Sequence, residues 1–90
     1  MEILGRHYFI SGRVQGVFYR HSTRQKALEL KLTGWVKNNA DGRVECAAFG
    51  TLQQLDTFEQ WLWQGPSIAN VTGVDTSDIA PESLKGFDIL

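Results

Sequence analysis

The chain has 90 residues, of which 42% are hydrophobic and 21% are charged, and its formal net charge is −1. These values exclude a largely disordered chain and leave no broad positive field for a nucleic acid or a membrane surface, so we expect a small-molecule partner. Because the length suits one hydrophobic core, we predict a single domain over residues 1–90, and we expect a monomer. No apolar run approaches the roughly 20 residues of a membrane span, and Cys46 has no second cysteine to pair with. We therefore expect a cytoplasmic protein.

The first strand is predicted from His7 to Val14, where aromatic and β-branched residues alternate at a period of two. Apolar groups on both faces indicate a central strand. A glycine turn at Gly16 follows, and good helix formers from Arg20 to Lys31 predict the first helix. The inward stripe of this helix comprises Thr23, Ala27 and Leu30.

A β-hairpin is predicted next. Its first strand contains Trp35, and the pair Asp41-Gly42 is a strong signal for the turn. The returning strand runs from Arg43 to Phe49. Alternation along this strand places one set of residues on a common face, namely Val44, Cys46 and Ala48.

The second helix is predicted to begin at a capping box, because Thr51 is followed three residues later by Gln54. The pair Gly65-Pro66 is expected to end it. Four apolar residues at helical spacing are predicted to form its buried stripe, namely Leu52, Leu55, Phe58 and Leu62.

Two strands complete the chain. A strand over residues 70–76 is predicted to contain a bulge near Gly73, residues 77–86 are predicted to form an exposed loop, and Phe87 and Ile89 belong to a short last strand. The order strand, helix, strand, strand, helix, strand predicts an α+β ferredoxin-like split βαβ sandwich. We expect an antiparallel sheet with both helices on one face.

The segment from Gly12 to Arg20, GRVQGVFYR, combines residues that suit an anion site. Its two glycines allow backbone conformations closed to other residues, and the helix start after them offers amide groups without intrahelical partners. The helix dipole adds positive partial charge there, and the guanidinium of Arg20 matches a phosphate or carboxylate bidentately. A plain glycine turn with a surface arginine explains the same pattern equally well.

A second polar candidate lies just before the hairpin turn. The side-chain amide of Asn38 both donates and accepts hydrogen bonds, so it could hold a water molecule in one orientation. Asparagine is also common in turns, and the residue pattern alone does not choose between Asn38 and Asn39.

Together with Gly34–Asn38, GWVKN, and the pair Asp41-Gly42, the segment Gly12–Arg20 closely resembles the acylphosphatase family. Residues 65–71, GPSIANV, and 86–89, GFDI, are similar to later landmarks of that family, so the resemblance extends over nearly the whole chain. It implies an enzyme that hydrolyses the carboxyl–phosphate anhydride of small acyl phosphates to a carboxylate and inorganic phosphate, with no metal or cofactor.

The resemblance also implies roles for individual residues. The residue at Asn38 orients the attacking water, while Arg20 and the loop amides bind the phosphate. The implied phosphate-binding loop consists of Gln15, Gly16, Val17, Phe18, Tyr19 and Arg20. The substrate's own phosphate is the implied base, and inorganic phosphate should compete with substrate.

Lys31 stands where the family commonly has a glycine that ends the first helix, so we expect this helix to lack the favourable left-handed cap.

Two other functions stay open on the sequence. The chain could be an acylphosphatase-like module that binds a phosphate ligand without hydrolysing it. An RNA-binding ferredoxin-like domain would need exposed aromatic residues and a basic sheet, and the Arg43–Phe49 strand lacks that aromatic pattern. Beside Arg20, His21 is a weaker candidate for a general acid or base.

Overall fold

The computed structural model describes residues 2–90. Their elements, in chain order, are β1 (Leu4–Arg13), α1 (Tyr19–Glu29), β2 (Thr33–Asn38), β3 (Val44–Gly50), α2 (Leu52–Gln64), β4 (Asn70–Ile79) and β5 (Phe87–Ile89). The strands form one sheet in the order β4-β1-β3-β2-β5, and this arrangement is the predicted ferredoxin-like α+β fold. Within residues 2–90, neither helix has the length and apolar character that crossing a membrane takes.

The sheet is mixed, whereas a wholly antiparallel one was predicted. β1 pairs antiparallel with β3 and β4, and β2 pairs antiparallel with β3. The exception is β5, which lies parallel to β2 with Phe87 opposite Gly34. Residues 80–86 carry the chain from one edge of the sheet to the other, where β5 runs in the direction of β2. Period-two spacing predicts a strand but does not specify its partner.

Strand pairing also explains why β1 and β4 are longer than predicted. β1 begins at Leu4 and β4 ends at Ile79, and these ends pair with each other through Gly5 opposite Ile79. The predicted bulge is confirmed, because the register between β1 and β4 shifts beside Gly12 and leaves Thr72 without an opposite residue.

The hydrophobic core lies between the two helices and one face of the sheet. The sheet contributes Tyr8, Ile10, Val36, Val44, Cys46, Ala48 and Phe87. The predicted inward stripes of both helices are confirmed with one exception, Leu52, which is 54% exposed. This leucine is the first residue of α2, and the core does not reach that end of the helix.

The ends of the helices differ in their stabilising residues. The predicted capping box of α2 is confirmed, since the Thr51 hydroxyl accepts from the Gln54 amide at 3.3 Å and Gln54 Oε1 accepts from the Thr51 amide at 2.9 Å. At the end of α1, Lys31 has a left-handed backbone with φ 62°, and the Leu32 amide donates to the Ala27 carbonyl. The expectation that Lys31 lacks the left-handed cap is therefore wrong, because the lysine adopts the helix ending that glycine usually forms.

Candidate active site

A cavity of about 300 Å³ lies where β1 leads into α1, beside the end of β2. Its lining residues are Val14, Gly16, Phe18, Tyr19, Arg20, His21, Asn38 and Ile89. The fold therefore brings Arg20 and Asn38 to one cavity. Of the predicted phosphate-binding loop, Gln15 and Val17 are not among the lining residues.

The loop that leads into α1 turns through left-handed backbone at Gly16, with φ 75°, and at Phe18, with φ 63°. Phe18 is the N-cap of α1, and no side chain of residues 2–90 caps this helix end or supplies an acidic group to its first turn. The first amides of α1 therefore keep their hydrogen-bonding capacity, and the positive end of the helix dipole is not neutralised locally. Helix ends of this kind bind anions.

Gln15 and Val17 anchor the loop from outside the cavity. The side-chain amide of Gln15 donates to the carbonyls of Asn39 and Arg43, at 2.8 Å and 3.0 Å. Those two residues close the hairpin between β2 and β3, so the loop is tied to the turn that follows Asn38. The side chain of Val17 is buried in the core. Both residues therefore fix the position of the loop backbone.

Tyr19 connects the start of α1 to the end of α2. Its hydroxyl donates to the Leu62 carbonyl at 2.6 Å, and burial raises the pKa of this hydroxyl, which keeps it protonated as a donor. The helical partner of that carbonyl would be the amide of residue 66, but Pro66 has no N–H. Tyr19 thus satisfies a carbonyl that the helix itself leaves unpaired.

Asn38 is the last residue of β2, and its side-chain Oδ1 is buried with no hydrogen-bond partner among residues 2–90. Buried acceptors without a partner are rare, because each costs about 1–3 kcal/mol. Asn39 differs, since its backbone amide donates to the Arg43 carbonyl and it does not line the cavity. The structure therefore places Asn38, and not Asn39, at the cavity that Arg20 lines.

The guanidinium of Arg20 is available to a ligand. No side-chain carboxylate of residues 2–90 forms a salt bridge with it, and its one hydrogen bond in that range is a long one of 3.5 Å to the main-chain oxygen of the exposed Leu90. The exposed His21 also lines the cavity. Ile89 is a lining residue that the sequence analysis missed, because only the parallel pairing of β5 with β2 brings it there.

These groups define the class of site. An uncapped helix end and the guanidinium of Arg20 offset the negative charge of a phosphate, and the side-chain amide of Asn38 at the same cavity can form hydrogen bonds with water. Phosphoryl transfer to water needs these two functions, positioning and charge stabilisation. The cavity is thus suited to an enzyme that hydrolyses a small phosphorylated compound.

Comparison with known proteins gives the family. Residues 6–89 match the family model described as Acylphosphatase. An acylphosphatase from Coxiella burnetii (strain RSA 493 / Nine Mile phase I) is 46% identical over 83 residues, which cover 92% of this chain and 87% of that relative. The solved structure of an acylphosphatase from Coxiella burnetii has a TM-score of 0.94 at 43% identity and covers 98% of this chain and 93% of that chain. This chain belongs to the acylphosphatase family, and it is an enzyme that hydrolyses acyl phosphates.

The same fold also occurs inside a much larger protein. The structure of full-length HypF in the phosphate- and nucleotide-bound form has a TM-score of 0.92 at 26% identity, and the match covers 99% of this chain but only 12% of that chain. The similarity to free-standing acylphosphatases is the closer of the two in sequence.

Proposed function

We propose that this acylphosphatase hydrolyses small acyl phosphates by direct in-line attack of water. Arg20 and the amides of residues 15–20 hold the phosphate, and Asn38 orients the water. The observation that carries this proposal is that Arg20 and Asn38, which lie on different elements, line the same cavity.

Arg20 and the loop amides act on the phosphate oxygens. A guanidinium binds two oxygens of a phosphate in a fork, and charge-assisted hydrogen bonds of this kind are roughly twice as strong as neutral ones. Amides at the start of α1 add donors that need no reorganisation as charge develops. Together they neutralise the equatorial oxygens while the phosphoryl group transfers.

Asn38 acts on the water. Its Oδ1 accepts a hydrogen bond from the water and aligns the water oxygen with the phosphorus atom. An amide does not take a proton at neutral pH, so the proton passes to an oxygen of the substrate's own phosphate. The water oxygen forms a new bond to phosphorus, the bond from phosphorus to the acyl oxygen breaks, and the carboxylate leaves with the electron pair.

The carboxylate is a good leaving group, so the proposed reaction uses no metal, nucleotide, other cofactor or covalent intermediate. Inorganic phosphate, as a product that fits the same loop, should compete with substrate. We further infer a monomeric, cytoplasmic enzyme with one domain over residues 1–90 and with neither nucleic acid nor membrane as a partner. The net charge of −1 supports the last point.

The substitution Asn38→Ala tests the water-positioning role. We expect kcat for benzoyl phosphate to fall by about 10²-fold or more, with the inhibition constant of inorganic phosphate mostly kept. The matched control is Asn39→Ala, since this neighbour lies outside the cavity. A wild-type kcat in the Asn38 variant would contradict the proposal, as would purely noncompetitive inhibition by phosphate.

A non-catalytic phosphate-binding module is the alternative that the sequence left open. It predicts that the purified chain binds phosphate but leaves benzoyl phosphate intact. Measurable turnover by the wild-type chain that depends on Arg20 would exclude this alternative.

A further inference from the structure

The cavity is larger and more apolar than a phosphate group requires. Its volume of about 300 Å³ equals that of about ten water molecules at roughly 30 Å³ each, whereas a phosphate has only five non-hydrogen atoms. Phe18 and Ile89 also line the cavity, although neither side chain can hold the phosphate or the water. Their exposed apolar surface therefore has no part in the mechanism proposed above.

Phe18 combines two unfavourable properties at this place. Its side chain is 74% exposed, and its backbone is left-handed, with φ 63° and ψ 22°, where a Cβ atom is crowded. Exposure forgoes the hydrophobic gain of burying an aromatic ring. Unfavourable backbone conformations persist mainly at sites of function, and this one presents an aromatic ring at the cavity.

We propose, resting on the function proposed above, that Phe18 binds the acyl group, and that the preferred substrates are acyl phosphates with an aromatic or bulky apolar acyl group. Phe18 belongs to the loop whose amides hold the phosphate in that function, so its ring lines the cavity from a residue next to the phosphate. Ile89 lies on the strand paired with the one that ends at Asn38, so it is on the side of the attacking water and is not part of this acyl site.

In-line geometry separates the acyl site from the water site. The leaving oxygen is opposite the attacking water, so the acyl group extends away from the side where Asn38 holds the water. An aromatic acyl group that contacts Phe18 buries apolar surface of both rings. Acetyl phosphate, with a single methyl group, gains little of this contact.

The test compares kcat/KM for benzoyl phosphate and for acetyl phosphate in variants of Phe18. The readout is the ratio of the two kcat/KM values. Both substrates use the same phosphate-binding loop, so damage to the loop lowers both values by the same factor and leaves the ratio unchanged. In Phe18→Ala and Phe18→Gly we expect the benzoyl-to-acetyl ratio to fall about tenfold, the size of effect that apolar pockets give. Phe18→Tyr, which keeps the ring, should stay within about threefold of the wild-type ratio.

Glycine suits a left-handed backbone, so Phe18→Gly keeps the fold and separates loss of the ring from loss of structure. The matched control is Lys31→Gly. Lys31 is the other non-glycine residue of residues 2–90 with a left-handed backbone, so this substitution relieves the same kind of backbone strain, but at a position outside the cavity. It should leave the ratio unchanged.

An unchanged ratio in both Phe18→Ala and Phe18→Gly, with wild type hydrolysing both substrates, would overturn the acyl site and leave the proposed function intact. A wild-type chain that hydrolyses neither substrate would overturn the proposed function, and the acyl site with it.

Discussion

The two helices begin in opposite ways. At α2, Thr51 and Gln54 pair with each other's amides, so the helix end is closed by its own residues. At α1, the N-cap is Phe18, which has no side-chain acceptor, and the end borders the cavity with Arg20. A helix start can thus be stabilised locally or be kept available for a ligand. The α1 helix forgoes a cap of about 1 kcal/mol and retains donors for an anion.

The difference extends to the whole of α1. The two non-glycine residues of 2–90 with positive φ, Phe18 and Lys31, flank this helix, whereas α2 ends at Gly65. Tertiary contacts hold α1 in place instead. Arg24 Nε donates to the Phe87 carbonyl at 2.7 Å, and Tyr19 bonds to α2. The helix with the weaker local signals is therefore the one whose start lines the cavity.

The largest effect should come from removing the charge at the open helix end. We expect Arg20→Gln to lower kcat/KM for benzoyl phosphate by about 10³-fold, because the phosphate loses its cationic partner. Arg20→Lys should be intermediate, since it keeps the charge but loses the planar fork. Lys26→Gln, which removes a charge elsewhere on α1, serves as control. A loss under threefold in Arg20→Gln would show that the helix end alone binds phosphate.

A smaller effect of a different kind is expected at the closed helix end. Thr51→Ala removes one half of the capping box and should lower the free energy of unfolding by about 1 kcal/mol, with kcat/KM unchanged. Urea denaturation and benzoyl phosphate hydrolysis measure the two quantities. Thr57→Ala makes the same chemical change inside α2 and should not destabilise the fold. Lost turnover at full stability in Thr51→Ala would contradict the contrast between the helix ends.

The smallest effect is a gain. Lys31→Gly should raise the free energy of unfolding by about 0.5–1 kcal/mol, because glycine adopts the left-handed backbone at the end of α1 without crowding. The reciprocal change at α2, Gly65→Ala, should destabilise, since an added Cβ would lie 2.7 Å from the Tyr19 ring. Chemical denaturation measures both. Destabilisation by Lys31→Gly would mean that the lysine side chain stabilises the helix end by contacts of its own.

Local features of the fold were predictable from the sequence because their signals lie within a few residues of one another. The capping box at Thr51, the stop at Gly65 and the bulge in β4 are examples. The partner of β5 was not predictable, since pairing between distant segments leaves no local sequence pattern. The position of Ile89 at the cavity depends on that pairing, so it was not predictable either. Burial of Leu52 was wrongly predicted because helical spacing does not reveal where the core ends.

The site was partly predictable. The segment Gly12–Arg20 indicated an anion loop on its own chemistry, but the residues alone left Asn38 and Asn39 open. Side chains alternate between the two faces of β2, so Asn38 lies on the same face as the buried Val36 and Asn39 does not. That the cavity lies on this face is visible only in the folded chain. The catalytic roles of Arg20 and Asn38 stay predictions.

The bond from Tyr19 to the Leu62 carbonyl also has a consequence for the order of folding. It joins residues 43 positions apart, so the start of α1 is fixed only after α2 has docked beside it. We expect a contact of such long sequence separation to form late in folding. Closing the intervening chain costs conformational entropy, and this cost is offset only after the contact has formed. During refolding, we expect hydrolytic activity to return with the last tertiary phase, after the helical signal has recovered.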